Sequence, residues 1–237
     1  MKVKIIFDKD TQDKKLHTGW GVSFLIDERI LFDTGENGSW LAENLKILGV
    51  DIDKIEAVVI SHDHWDHTGG LWELLKKKKG LTIYACPHFS REFKEKVKGW
   101  QGVLVEADKS REISKNIFVS GEIPGAYHGR YMPEQALIIK TKNGLTIITG
   151  CAHPGIVKMV RVIKEKFPGK RVYLVFGGFH LKEEDRRAIE IVTERFKEME
   201  VQKAGPTHCS GEEAERIFKD KYGKDFIPIK VGKTLDV

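Results

Sequence analysis

The chain has 237 residues, of which 41% are hydrophobic and 32% charged, a balance typical of a globular protein with a substantial core. No apolar run approaches the roughly 20 residues that a membrane-spanning helix needs, and three cysteines are too few for a disulfide framework. The net charge of +5 is too small to argue for nucleic acid as a partner. We therefore expect one cytoplasmic domain spanning residues 1–237, with no membrane or nucleic-acid partner.

Apolar patterns predict four strands in the first part of the chain, over residues 2–7, 21–26, 29–32 and 55–60. We expect the first strand at the edge of a sheet, and the second and third to form a hairpin. Ser39 is placed to cap a helix over residues 40–48, which Gly49 would end.

The segment after the fourth strand carries four potential metal ligands within six residues. It has the sequence SHDHWDHTGG at positions 61–70, and a helical apolar pattern begins at Leu71. His62 and His64 are two residues apart, so both imidazoles point to the same side of an extended backbone. Asp66 and His67 follow where the chain turns into the helix and are placed to face a second position. Imidazole nitrogen and carboxylate oxygen are ligands of zinc and similar ions, so the segment predicts a metal site.

The rest of the chain predicts further strands and helices. Strands are predicted over residues 81–85, 135–140, 145–149, 171–176, 201–204 and 226–231, and helices over residues 89–98, 155–167, 183–199 and 211–222. Short strands are expected within residues 102–123, and Asn143-Gly144 predicts a hairpin turn. Residues 121–130 are rich in glycine and have no period. They indicate either a loop that closes over substrate or a plain surface connection.

The histidine-rich segment resembles the His-x-His-x-Asp-His signature of the metallo-β-lactamase superfamily. LFDTG at positions 31–35 is similar to that superfamily's first motif. Three later motifs resemble its dihydropteroate-synthase-like subgroup: TGCAHPG at 149–155, GGFH at 177–180 and HCSG at 208–211. The resemblance implies an α/β (α+β) fold, a four-layer αββα sandwich with a one- or two-metal site between its sheets.

The resemblance also implies the ligands of one or two divalent ions, expected to be zinc with manganese or iron as alternatives. These ligands are His62 and His64 for the first ion, and Asp66, His67 and His208 for the second. We choose His153 as the third ligand of the first ion, because its turn follows a buried strand and enters a helix. In the superfamily a metal-bridging Asp follows the Thr-Gly pair, where this chain has Cys151, and the superfamily's upstream His is absent unless it is His128. Either Cys151 bridges as a thiolate, or it is a small buried residue and His153 alone binds. We favour the second interpretation.

Other side chains are expected to support the ligands or to contact substrate. Asp33 is interpreted as a carboxylate that fixes a metal-bound His or the loop backbone, with an ordinary turn residue as the alternative. Asp66 is expected to act as ligand and proton acceptor. His180 is expected to be a non-ligand that contacts a substrate phosphate or donates a proton, with a packing role as the alternative. Weaker candidates for substrate contacts are His17, Arg130 and Lys158.

The function implied by the resemblance is that of a metal-dependent enzyme acting on a phosphorylated or pyrophosphorylated small molecule. The subgroup's described activity joins a dihydropterin pyrophosphate to a ribosylaminobenzene phosphate in methanopterin biosynthesis, whereas many relatives are metal-dependent hydrolases. A general hydrolase of phosphoesters, esters or lactones is therefore the alternative, followed by a nuclease or a binding module with a vestigial site. Abundant lysine and glutamate indicate a thermophilic source. The oligomeric state stays open.

Overall fold

A computed structural model describes all 237 residues of the chain, which form two compact units. The N-terminal unit comprises residues 1–108 and 230–236, and the C-terminal unit comprises residues 109–229 with Val237. No helix in either unit is both long enough and apolar enough to cross a membrane.

Fifteen strands and seven α-helices make up the two units. The strands are β1 (Lys2–Phe7), β2 (Ser23–Ile26), β3 (Ile30–Phe32), β4 (Ala57–Val59), β5 (Thr82–Ala85), β6 (Val103–Glu106), β7 (Arg111–Ser114), β8 (Ile117–Val119), β9 (Ala126–Tyr127), β10 (Arg130–Tyr131), β11 (Leu137–Thr141), β12 (Gly144–Thr149), β13 (Val172–Gly178), β14 (Lys203–Thr207) and β15 (Thr234–Asp236). The helices are α1 (Gly38–Ile47), α2 (Trp65–Thr68), α3 (Leu71–Lys77), α4 (Arg91–Gly99), α5 (Ile156–Lys166), α6 (Arg186–Glu198) and α7 (Glu212–Tyr222). The expected mixture of strands and helices is confirmed.

The N-terminal unit contains a seven-stranded sheet in the order β15-β1-β2-β3-β4-β5-β6. The hairpin of β2 and β3 is confirmed, with Phe24 opposite Phe32, and β3 to β6 then run parallel. The prediction that β1 lies at an edge is wrong, because β15 pairs with it and places Val3 opposite Leu235. Local periodicity cannot reveal a partner strand from the other end of the chain.

Two helices of the N-terminal unit, α1 and α4, begin directly after a residue whose side chain caps them. Ser39 is not the cap of α1; the Asn37 side chain instead accepts the Ser39 and Trp40 backbone N–H groups. The extended backbone of Asn37 directs its oxygen at these donors, whereas Ser39 already lies within the first turn. Ser90 caps α4 in the same way, so α4 begins at Arg91 and not at the predicted Phe89. The short helix α2 within the histidine segment was not predicted.

The C-terminal unit contains a six-stranded sheet in the order β14-β13-β12-β11-β8-β7. The hairpin of β11 and β12 is confirmed, and β12, β13 and β14 are parallel. Residues 121–130 are not simply a loop, because β9 and β10 pair as a two-stranded hairpin with Tyr127 opposite Arg130. No strand forms over residues 226–231; that stretch makes isolated bridges only, and the last strand is β15.

A buried apolar core in the C-terminal unit supports the carboxyl ends of its parallel strands. Its largest members include Ile147, Met159, Phe179, Phe196 and Phe218. The rings of the three phenylalanines lie at centroid distances of 5.5 Å from one another, where the edge-on contacts favoured by aromatic rings are made. Phe196 lies on α6, Phe218 on α7 and Phe179 directly after β13, so this packing joins the two helices to the loop that follows β13.

Candidate metal centre

The histidine segment of the N-terminal unit is organised by Asp33, at the end of β3. Its carboxylate is fully buried. Oδ1 accepts the Ser61 backbone N–H at 2.7 Å, and Oδ2 accepts the Ser61 hydroxyl at 2.7 Å and the Nδ1–H of His67 at 2.7 Å. Burial opposes a charge on His67, but the carboxylates of Asp33 and Asp66 raise its pKa well above the ordinary value. Asp33 therefore contacts both a predicted ligand and the loop backbone.

The orientation of His62 follows from the same hydrogen bonds. The Ser61 hydroxyl has one proton, which it donates to Asp33, so the Ser61 oxygen accepts from the Nδ1–H of His62 at 2.8 Å. The lone pair of His62 is then on Nε2, which lies 3.1 Å from Nδ1 of His64. One buried carboxylate thus fixes two imidazoles, one directly and one through a hydroxyl.

The backbone of the segment is held at His67 and at Asp66. The Thr34 hydroxyl and backbone N–H both donate to the His67 carbonyl, at 2.7 and 3.0 Å. Gly21 has a φ of +95° and approaches Asp66 so closely that an added Cβ would lie 1.8 Å from the Asp66 carbonyl oxygen. Glycine is therefore required at this position both for its conformation and for its size.

The C-terminal unit places its own potential ligands at the ends of three neighbouring strands. Cys151 and His153 follow β12, His180 follows β13 and His208 follows β14. The Sγ atom of Cys151 lies 3.3 Å from Nε2 of His208. A second group consists of Cys151, His153 and His180, whose potential ligand atoms all lie within 4.8 Å of one another.

Two of these strand-end histidines have unusual backbone conformations. His180 has a φ of 53° and His208 a φ of 52°, in the left-handed region that is uncommon for residues other than glycine, although histidine is among the residues enriched there. Such a conformation costs about 1–3 kcal/mol and persists only where the surroundings impose it. His208 follows β14 directly and His180 lies two residues after β13, so the chain turns close to the ends of both strands.

Glu134, which the sequence did not single out, is the buried carboxylate of the C-terminal unit. It accepts hydrogen bonds from the loop of residues 150–153 and from the His153 ring, whose Nδ1 lies 3.2 Å from Oε2. Burial alone would raise the pKa of Glu134, but His153 and the backbone N–H groups lower it to about 2. The only sign of this residue in the sequence is a glutamate three positions before the start of β11.

His180 lies beside a second thiol and under an aromatic ring. The pKa of His180 is raised, first by a hydrogen bond with Cys209. Burial would raise the pKa of the Cys209 thiol, but Cys151, His208 and His180 lower it well below its usual value. The Tyr127 ring on β9 meets the rings of His153 and His180 edge-on, at centroid distances of 5.0 and 5.5 Å. The hairpin of β9 and β10 thus covers these two imidazoles.

Four weaker candidates lie outside these clusters. His128 packs its ring on Tyr127, with 4.1 Å between centroids, and is absent from the groups of potential ligands. His17 stacks on Trp40 and contacts Glu43 at 2.5 Å. Lys158 donates to the Pro124 carbonyl at 2.6 Å, and Arg130 is exposed on β10. Roles of His17, Lys158 and Arg130 as anion contacts stay predictions.

The donor atoms within each unit fit a divalent metal ion. Ligand atoms bound to one tetrahedral zinc lie roughly 3.3–3.8 Å apart, given zinc–ligand bonds of about 2.0–2.3 Å. The pairs Asp66–His67 and Cys151–His208 are each separated by 3.3 Å, at the lower end of this range, and the pair His62–His64 by 3.1 Å, slightly below it. Imidazole, carboxylate and thiolate groups suit zinc, and imidazole and carboxylate also suit iron and manganese.

Comparisons with known proteins agree with this chemistry. A family model described as the Metallo-beta-lactamase superfamily matches residues 21–178. The chain is 31% identical to the 7,8-dihydropterin-6-methyl-4-(beta-D-ribofuranosyl)-aminobenzene-5'-phosphate synthase of Methanocaldococcus jannaschii, covering 91% of this chain and 89% of that protein.

Solved structures extend the likeness to the fold. The crystal structure of Tm1679, described as a metal-dependent hydrolase of the beta-lactamase superfamily, is similar with a TM-score of 0.84 and 29% identity over 100% of this chain and 99% of that one. Zn(2+)-bound PqqB from Methylobacterium extorquens has a TM-score of 0.64 at 13% identity over 100% of both chains, which shows a likeness of fold alone.

Proposed function

This chain belongs to the metallo-β-lactamase superfamily and has its fold, and from that premise we propose that it is a metal-dependent enzyme acting on a phosphorylated or pyrophosphorylated small molecule. The observation that carries the proposal is the spacing of donor pairs within each unit. Asp66 and His67 in the N-terminal unit and Cys151 and His208 in the C-terminal unit lie 3.3 Å apart, close to the edge of a tetrahedral coordination shell.

We assign five ligands on the superfamily's pattern and a sixth, His153, on its position after β12. One ion takes His62, His64 and His153, and the other takes Asp66, His67 and His208. To these we add Cys151 as a thiolate ligand, since its Sγ atom is as close to His208 as a shared ion requires. The alternative is that Cys151 is only a small buried residue and His153 alone binds. The assignment treats residues 1–237 as one functional domain.

A bound divalent ion would lower the pKa of a water molecule toward about 7 and polarise a phosphoryl oxygen. The protein's own groups prepare the site for this chemistry. Asp33 holds His67 directly and His62 through Ser61, so that the lone pair of each neutral ring is on Nε2, where an ion would bind. Asp66 is assigned as proton acceptor. His180 is assigned to donate a proton or to bind a substrate phosphate, since its raised pKa keeps more of it protonated near neutral pH.

The reaction we propose first is transfer of a dihydropterin group, supported by the name of the Methanocaldococcus jannaschii relative. A bond forms between the pterin methylene carbon and the aminobenzene ribotide, and the carbon–oxygen bond to pyrophosphate breaks. Pyrophosphate leaves, and the proton displaced from the nucleophile passes to a base. Simple hydrolysis is the second candidate. It is supported by the likeness to Tm1679, whose described class is a metal-dependent hydrolase.

The test uses the purified protein after its metal content has been measured by elemental analysis. The protein is incubated with dihydropterin pyrophosphate, with and without the ribosylaminobenzene phosphate, and both coupled product and pyrophosphate are quantified. Coupled product supports the transferase. Pyrophosphate released equally without the second substrate supports the hydrolase. A folded protein that binds no divalent metal would overturn both, whereas metal binding with no turnover would exclude this substrate alone.

A further inference from the structure

Five N–H groups converge on the Glu134 carboxylate. Oε1 accepts from the backbone of Gly150 at 3.2 Å, Cys151 at 2.9 Å and Ala152 at 2.8 Å. Oε2 accepts from the His153 backbone at 3.0 Å and faces the His153 ring Nδ1 at 3.2 Å. The Glu134 side chain is fully buried and the His153 side chain nearly so. The whole loop after β12 is therefore wrapped around one carboxylate.

The backbone of Glu134 is fixed as firmly as its side chain. The backbone N–H groups of Ile123 and Glu134 each donate to the other residue's carbonyl, at 2.9 and 3.1 Å. Ala136, which lies just before β11, is also held, since Ser120 Oγ accepts its backbone N–H at 2.9 Å. The carboxylate is thus held rigidly, and the 150–153 loop takes its position from it.

The hydrogen bonds made by Glu134 decide the tautomer of His153. Four backbone N–H groups point at the two carboxylate oxygens, so Glu134 acts as an acceptor toward the groups around it. The His153 nitrogen that faces it must therefore carry a proton. In the neutral ring the lone pair is then left on Nε2.

We propose that Glu134 is a positioning residue that locks His153 in the Nδ1–H tautomer and aims its Nε2 at the metal ion, holding Cys151 in place through the same carboxylate. The proposal rests on the assignment of His153 as a ligand under the proposed function. Carboxylates that accept the second ring N–H of a ligand histidine orient it and raise its basicity, and their loss costs 10–100-fold in metal affinity. The pair Asp33–His67 in the N-terminal unit shows the same arrangement.

The first experiment needs neither metal nor substrate. Proton–nitrogen NMR of the metal-free protein reports which ring nitrogen of each histidine is protonated, and the His153→Gln variant identifies the His153 signals. We expect a protonated Nδ1 and an unprotonated Nε2. A His153 ring protonated on Nε2 would overturn the proposal, and this result stands even if the proposed function fails.

The second experiment compares Glu134→Gln and Glu134→Asp with the wild type in zinc titrations against a competing chelator. Gln keeps the shape but turns an N–H₂ group toward the donors, so we expect a 10–100-fold weaker affinity, partly restored in Glu134→Asp, which keeps the charge. Glu112→Gln is the matched control, because Glu112 also accepts a backbone N–H, that of Asn116, but is exposed.

The outcomes separate positioning from simple stabilisation. If Glu134→Gln lowers the melting temperature yet binds zinc as tightly as Glu112→Gln, the positioning role is wrong. If Glu134→Gln does not fold, the tautomer of the wild-type ring decides. If the wild type binds no zinc, the proposed function fails while the tautomer is still measured.

Discussion

The Oδ2 atom of Asp33 lies 2.7 Å from Nδ1 of His67, and both side chains are completely buried. Such a pair is costly to bury and stays in place only because each partner satisfies the other, together with Ser61. It joins the end of β3 to the helix turn that carries the metal-ligand segment. The stability of the N-terminal unit and the orientation of its ligands therefore depend on the same contact.

Asp33→Asn should destabilise the metal-free protein by roughly 3 kcal/mol, since the amide cannot accept from both Ser61 and His67 and leaves buried donors without an acceptor. Chemical denaturation followed by circular dichroism measures the loss. Asp53→Asn is the control, because Asp53 lies near the surface, where its side chain makes no buried ion pair. Equal unfolding free energies for the two variants would contradict this reading.

Acid should weaken the metal-free protein through Glu134. Its pKa is lowered from 4.5 to about 2 in the folded state, so its contribution is complete above about pH 4.5 and is lost as pH falls toward 2. A shift of this size corresponds to about 3 kcal/mol. Unfolding free energies measured at several pH values between 6 and 3 should fall more steeply for the wild type than for Glu134→Gln. Parallel curves would count against the ionised state of Glu134.

Cobalt substitution should reveal whether Cys151 is a ligand. A thiolate bound to cobalt gives an intense near-ultraviolet charge-transfer band, which we expect in the wild type and not in Cys151→Ser. Cys86→Ser is the matched control, since Cys86 is equally buried but belongs to the core of the N-terminal unit. Absence of the band from the wild type would restore the interpretation of Cys151 as a small buried residue.

Metal removal should lower the melting temperature, because an ion that binds only the folded state stabilises it by about 3 kcal/mol when its free concentration is about 100 times the Kd. Differential scanning calorimetry with chelator and with added zinc measures the shift. His208→Asn should lose most of it, whereas His88→Asn, at an exposed position outside the ligand groups, should keep it. A shift of equal size in His208→Asn would remove His208 from the ligand set.

The candidate ligand segment could be proposed from the sequence because its information is local. His62, His64, Asp66 and His67 are close in sequence, and the strand before them is apolar throughout. Their resemblance to a family signature then gave the fold. The structure places Asp33 in contact with His67 and with the backbone of the segment, and its role in orienting a metal ligand stays a prediction.

What the sequence did not predict depends on partners far along the chain. Glu134 looks like an ordinary polar residue before a strand, and only its contacts with residues 150–153 show that it is buried. The pairing of β15 with β1 and the absence of a strand over residues 226–231 have the same origin. Asn37 replaced Ser39 as a cap because the choice between adjacent capping residues depends on backbone angles.

The tight fit at Gly21 makes the ligand segment vulnerable from a distance. A single methyl group there would push on the carbonyl of Asp66, although Gly21 lies more than 40 residues before Asp66 in the sequence. The residue two positions before β2 thus limits where the backbone of Asp66 can lie. Variants designed to test metal binding should therefore keep Gly21 unchanged.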